Sequence, residues 1–127
     1  VFKKFAKVNP EFRHLQCNGI TIHAKVATTN EDRIKGLAGV AALSTNEGML
    51  FDFGAEQPVS FWMRGCTAFD ISVAFMTNNK IIVGMQDMSK DAPTHLHNSP
   101  MPVRYALEVP KGFFVQNSIS VGDKVSF

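Results

Sequence analysis

FRHLQCNGITIHAKVA, residues 12–27, sets the fold class. Asn18-Gly19 divides two runs of strand character, Phe12 to Cys17 and Ile20 to Ala27. A two-residue Asn-Gly loop supplies the positive φ angles of a type I′ turn, whose twist suits antiparallel strands. Beyond the turn, Ile20, Ile22, Ala24 and Val26 alternate with Thr21, His23 and Lys25, which makes one face apolar and the other polar. The stretch therefore reads as a β-hairpin.

Working outward, Phe2, Phe5 and Val8 recur at a spacing of three among Lys3, Lys4 and Lys7. That spacing predicts a short amphipathic helical turn, ended by Asn9-Pro10 because a residue before proline avoids the helical region. Residues 1–10 thus read as an N-terminal extension and residues 11–127 as a single domain. After the hairpin a helix is expected near residues 30–37. Thr28 is its N-cap, Glu31 completes a capping box, Ile34 and Leu37 face inward, and Gly36 and Gly39 weaken its end.

From Gly48 the chain reads as strand after strand: Gly48 to Phe53, Val59 to Arg64, Asp70 to Thr77 and Lys80 to Met88. Asn78-Asn79 joins the last two. Residues 89–103, with Pro93, Pro100 and Pro102, read as loop. Arg104 to Val109 and Lys124 to Phe127 are the closing strands, with a short helical turn near residues 111–118 between them. Many short strands, one capped helix and no alternating βαβ pattern predict an α+β fold. Its sheet is expected to be mostly antiparallel, barrel-like or strongly curved.

The chain of 127 residues is long enough to bury a real core. Its 45% apolar and 19% charged content describes an ordinary globule. Eleven Phe stand against one Tyr and one Trp, and rings without a polar handle are expected mostly inside. A net charge of +2 with scattered Lys and Arg gives no reason to expect nucleic acid. No apolar run approaches a membrane span, and the first residues lack a signal core. Cys17 and Cys66 are too few for a disulfide framework and read as free thiols.

Chemistry concentrates in Ser60 to Asp70, which holds the lone Trp62, Arg64, Cys66 and Asp70. An apolar run stops at Arg64 and a second one starts at Asp70. A charge between apolar runs marks a strand end, where side chains meet solvent. The Arg64 fork suits a carboxylate or phosphate, and Trp62 offers a flat ring. The plainer reading is core for Phe61, Trp62 and Met63, with Asp70 pairing Arg64 or capping backbone amides. In a regular strand Trp62 points opposite to Phe61 and Met63.

Cys66 would need a base to act as a nucleophile, and His14, His23, His95 and His97 are all remote in sequence. His95 and His97 form a possible metal pair without a clear third or fourth ligand, so no metal and no cofactor is expected. Met49, Met63 and Met76 sit in apolar strands and read as core. Glu108, on an apolar strand, is the candidate second acid to Asp70. It invites a raised pKa, unless alternation places it on an outer face. The chain carries no Ser-His-Asp order, phosphate loop or dinucleotide fingerprint.

An ordered set of segments carries a family resemblance. They are Val26-Ala27-Thr28, Arg33, Gly36-Leu37, Gly48-Met49-Leu50-Phe51, Phe61-Trp62-Met63-Arg64, Asp70-Ile71 and Ala106-Leu107-Glu108-Val109. Lys111-Gly112 and Val121-Gly122-Asp123-Lys124-Val125 follow. From about Ile20 to Val125 the chain resembles the DUF192 family of small domains of unknown function. The resemblance implies a mostly antiparallel β domain with one early helix, and no activity. Two departures stand out. Gly36-Leu37-Ala38-Gly39-Val40 replaces a frequent Gly-Leu-Met-x-Arg, which removes a basic residue, and the Arg64–Asp70 link lacks an expected proline.

The leading expectation is a non-catalytic ligand-binding or protein-interaction module, with Trp62, Arg64, Cys66, Asp70 and Glu108 as its surface. Its partner would be a small anionic ligand or a protein. One alternative is a hydrolase-like enzyme using Asp70 and Glu108, with Arg64 holding an anion. The other is a structural subunit of an assembly, joined through the Phe-rich N-terminal segment.

Overall fold

In the computed structural model, which describes residues 11–127, β1 (Glu11–Cys17) pairs antiparallel with β2 (Ile20–Ala27), Cys17 opposite Ile20. Asn18 and Gly19 have φ of 51° and 77°, the two positive values that a type I′ turn requires. Asn18 also anchors the turn: its Nδ2 donates to the Ser118 carbonyl at 2.8 Å and to Asp123 Oδ2 at 3.1 Å. Gly19→Val should cost about 1–2 kcal/mol, because a β-branched residue resists positive φ. Urea unfolding checks this, and an unchanged midpoint would show that the turn relaxes to another type. The amphipathic turn expected within residues 1–10 lies outside the described residues.

The early helix, α1 (Asn30–Lys35), is shorter than its sequence pattern suggests. Its cap is Thr29 rather than Thr28, with Oγ1 accepting from the Asp32 N–H at 3.1 Å. Gly36 ends it, donating its N–H to the Asp32 carbonyl at 2.9 Å. The chain turns there, so Leu37 is buried while Ile34, expected inside, is 85% exposed. Beyond the helix, β3 (Glu47–Gln57) lies parallel to β2, with Ala24 opposite Gly48 and Ala27 opposite Phe51. One βαβ crossover is therefore present where none was expected. A six-residue helix is too brief to show the periodicity that marks such a unit.

The run 59–64 pairs only at β4 (Ser60–Phe61), because Met63 closes a turn by accepting the Cys66 N–H at 2.9 Å. β5 (Ile71–Met76) and β6 (Ile82–Met88) form the next hairpin. β7 (His97–Asn98), inside the expected loop, pairs with β4. β8 (Val103–Pro110) and α2 (Phe113–Gln116) follow. The main sheet runs β1-β2-β3-β8-β5-β6, and every neighbouring pair except β2–β3 is antiparallel. The fold is thus α+β with a mostly antiparallel sheet and two short helices.

The sheet is not closed by pairing of β1 with β6. Residues 124–127, expected as a strand, instead make isolated bridges, Ser126 to Gln16 and Lys124 to Ile81.

Both faces of the sheet are covered, and alternation sorts its residues between them. Leu50, Ala74, Met76, Leu107 and Val109 pack on one side with Phe113, Phe114, Ile119 and Val125. Met49, Phe51, Val73, Phe75 and Ala106 pack on the other with Leu37, Val59 and Met63. This explains why all six residues of β5 are buried. Met49, Met63 and Met76 are core, as their settings suggested. Phe51, Phe75, Phe113 and Phe114 are buried, whereas Phe12 is exposed.

Candidate functional site

Glu108 lies opposite Met49 on one side and Val73 on the other, so its side chain belongs to the Leu37–Met63 face of the sheet. No outer face exists on this strand, because both sides of the sheet are covered. Glu108 is 4% exposed, and among the described residues it makes no hydrogen bond or ion pair. Burial alone pushes its carboxyl up to about 8, with no opposing pull from a nearby cation. At neutral pH it is therefore mostly a neutral acid.

Glu108 faces a cavity of about 450 Å³. Phe51, Phe53 and Phe61 supply its aromatic wall, with Phe51 and Phe61 edge to face at 4.9 Å. Trp62 and Arg64 stand at its rim, the Arg64 guanidinium 5.0 Å from the Trp62 ring centre. Trp62 is 47% exposed while Met63 is buried, as alternation suggests. Phe61 and Trp62 nevertheless both line the cavity, because the strand breaks at the Met63–Cys66 turn. Arg64 is exposed, and among the described residues no carboxylate pairs with it.

The opposite wall comes from α1 and the segment after it, through Arg33, Ile34, Lys35 and Leu37. Arg33 is structurally committed. Its guanidinium donates to the Thr28 and Asp52 carbonyls and to Asn30 Oδ1, and it lies over the Phe53 ring. The two walls are tied together by the Gly39 N–H, which donates to the Gly65 carbonyl at 3.2 Å. Ala38 lies against Gly65 at this crossing, where a Cβ on Gly65 would come within 3.0 Å of the Ala38 methyl.

The other expected site residues divide. Cys66 lines the cavity beside Glu108; burial first, and then the Glu108 charge, push its thiol up. A thiol held protonated is a poor nucleophile. Asp70 does not line the cavity. Its Oδ1 accepts the Lys90 N–H at 2.8 Å and its carbonyl accepts from Lys111 at 3.2 Å, the amide-capping role considered for it. The structure thus brings Trp62, Arg64, Cys66 and Glu108 to one cavity and leaves Asp70 outside it, unpaired with Arg64. Sequence reasoning missed the α1 wall; Arg33 and Gly36-Leu37 were visible as motif residues, with no sign that they face Glu108.

His95 and His97 have their rings 4.7 Å apart, edge to face. His97 is buried, its Nδ1 bonded to Gln86 Oε1 at 3.1 Å. Burial and then the neighbouring His95 lower its pKa. Among the described residues no group of three or more His, Cys, Asp or Glu is gathered to hold a metal ion. Cys17 and Cys66 are not joined in a disulfide. No helix among the described residues is long and apolar enough to cross a membrane.

Together these features define a small α+β domain with an aromatic-walled cavity on one face of a doubly covered sheet. The chain belongs to the DUF192 family, described as an uncharacterized ACR, whose profile matches residues 13–127. The fold is similar to that of a proposed transcription regulator from Sinorhizobium meliloti 1021. That match has a TM-score of 0.85 at 24% identity and covers 92% of this chain and 94% of the other. It is also similar to a protein of unknown function from Novosphingobium aromaticivorans, with a TM-score of 0.84 at 21% identity, covering 91% and 85% of the two chains. No curated protein gives a significant match.

Proposed function

We propose that the domain is a non-catalytic binding module for a small molecule with a flat apolar body and an anionic group. The observation that carries this reading is Arg64. Its guanidinium is held on the Trp62 ring at the rim of an aromatic-walled cavity, and among the described residues no carboxylate occupies it. A planar fork beside a flat ring suits an aromatic carboxylate, whose ring enters between the walls while its oxygens stay at the rim. Asp70 lies outside the cavity and accepts a backbone amide, which favours binding over hydrolysis by two carboxylates. The third possibility, assembly through the N-terminal segment, falls on residues outside those described.

Titration of the labelled protein with 4-methylbenzoate, followed by amide and indole NMR, tests the reading. Shifts are expected at Trp62 and at residues 33–37. Arg64→Met should weaken binding about tenfold, the loss of one charge-assisted contact. It should leave unfolding free energy within about 0.5 kcal/mol, because the side chain is exposed. Absence of shifts at millimolar probe would overturn the proposal.

A further inference from the structure

The cavity is bipolar. Its exposed end carries Arg64 and Lys35, and its buried end carries Glu108, the one acid among the lining residues. Among the described residues Glu108 has no hydrogen-bond donor, and its carboxyl opens on the cavity instead of being sealed in the core. A ligand that enters the cavity can bring the donor that the described side chains do not supply. Arg33 cannot serve, since its guanidinium is already engaged by Thr28, Asp52 and Asn30. A cation at the buried end meets the acid and the rings of Phe51 and Phe61, which favour positive charge.

We infer that the ligand is amphoteric: a protonated nitrogen group seated against Glu108 and a carboxylate or similar anion on Arg64, joined by a flat apolar body. This rests on the reading of the cavity as an anion-binding site and adds the chemistry of its buried end. The groups that line the cavity with Glu108 are Cys66 from the turn after β4, Arg33 and Lys35 from α1, and Arg64 at the rim. Burial pushes the Glu108 carboxyl up to about 8, so its ionisation governs the pH dependence of binding. A cationic ligand requires the ionised carboxylate, so binding releases a proton below that pH.

Calorimetry on the 127-residue chain with three probes tests this: 4-(aminomethyl)benzoate, 4-methylbenzoate and 4-methylbenzylamine. The amphoteric probe should bind at least tenfold more tightly than either half at pH 8. Its affinity should rise about fivefold from pH 7 to pH 8, following the ionised fraction of Glu108. The affinity of 4-methylbenzoate should not rise. Glu108→Gln should abolish the preference for the amine-bearing probe and keep binding of 4-methylbenzoate. Should that variant fail to fold, the pH series on the unaltered protein decides. Equal affinity of the two carboxylates, or a pH-independent affinity for the amphoteric probe, overturns the inference and leaves the anion site standing. Failure of both carboxylates to bind overturns both.

Discussion

Glu108→Gln should make the protein progressively more stable than the wild type as pH rises. The folded state holds Glu108 protonated up to about pH 8, against an ordinary value of 4.5. Between those limits the native state binds a proton that the unfolded chain releases, so unfolding becomes easier with increasing pH. The contribution is complete below the unfolded value and is lost as pH rises through the folded one. Each pH unit in this window removes about 1.4 kcal/mol, on the order of 5 kcal/mol across it. The glutamine, which does not titrate, removes this slope. Urea unfolding of both proteins at about pH 5, 7 and 9 checks it. The gap should widen up to about pH 8 and then level off; parallel curves would mean that the carboxyl is solvated or paired.

Gly48→Ala should be among the most damaging single-methyl additions in the chain. A Cβ at this position would lie 2.5 Å from the Glu108 carbonyl oxygen and 3.0 Å from Val109 Cγ1. The first of these is backbone in the strand beside it and cannot swing away. Gly48 is also held from the other side, opposite Ala24 in the parallel ladder. Relief requires β3 and β8 to separate, at a cost of about 3 kcal/mol. For a domain of this size that lowers the melting midpoint by roughly 10 °C. Thermal unfolding measures it, and a midpoint within a degree of wild type would show that the two strands part freely.

The sequence made the hairpins legible because their information is local. Asn18-Gly19 specifies its turn through two adjacent residues, and alternation in β2 shows which side packs inward. The parallel β2–β3 pair was not legible, since it depends on where a chain emerges after a long connection. The expected strand at 59–64 failed for a related reason. Its residues have the apolar character of a strand, but the Met63–Cys66 turn removes the pairing partner. At the site, Arg64 and Trp62 declared themselves by composition. Glu108 could be flagged as an acid among apolar neighbours, but its face could not be assigned while the opposite side of the sheet was assumed to be open.

The bridges made by residues 122–126 bear on solubility. β1 and β6 are the outer strands of the sheet, and the row of amides and carbonyls along such a strand is a template for another chain. Ser126 and Gln16 exchange backbone hydrogen bonds at 2.8 and 2.9 Å on one edge, and Ile82 bonds to Gly122 and Asp123 on the other. A single short segment thereby blunts the ends of both. A molecule in which this segment is clipped or displaced leaves the Gln16 and Ile82 backbone groups on the two edges without these partners at once. Proteolytic loss of this segment would uncover backbone groups on both edges and take Val125 out of the core in the same cut.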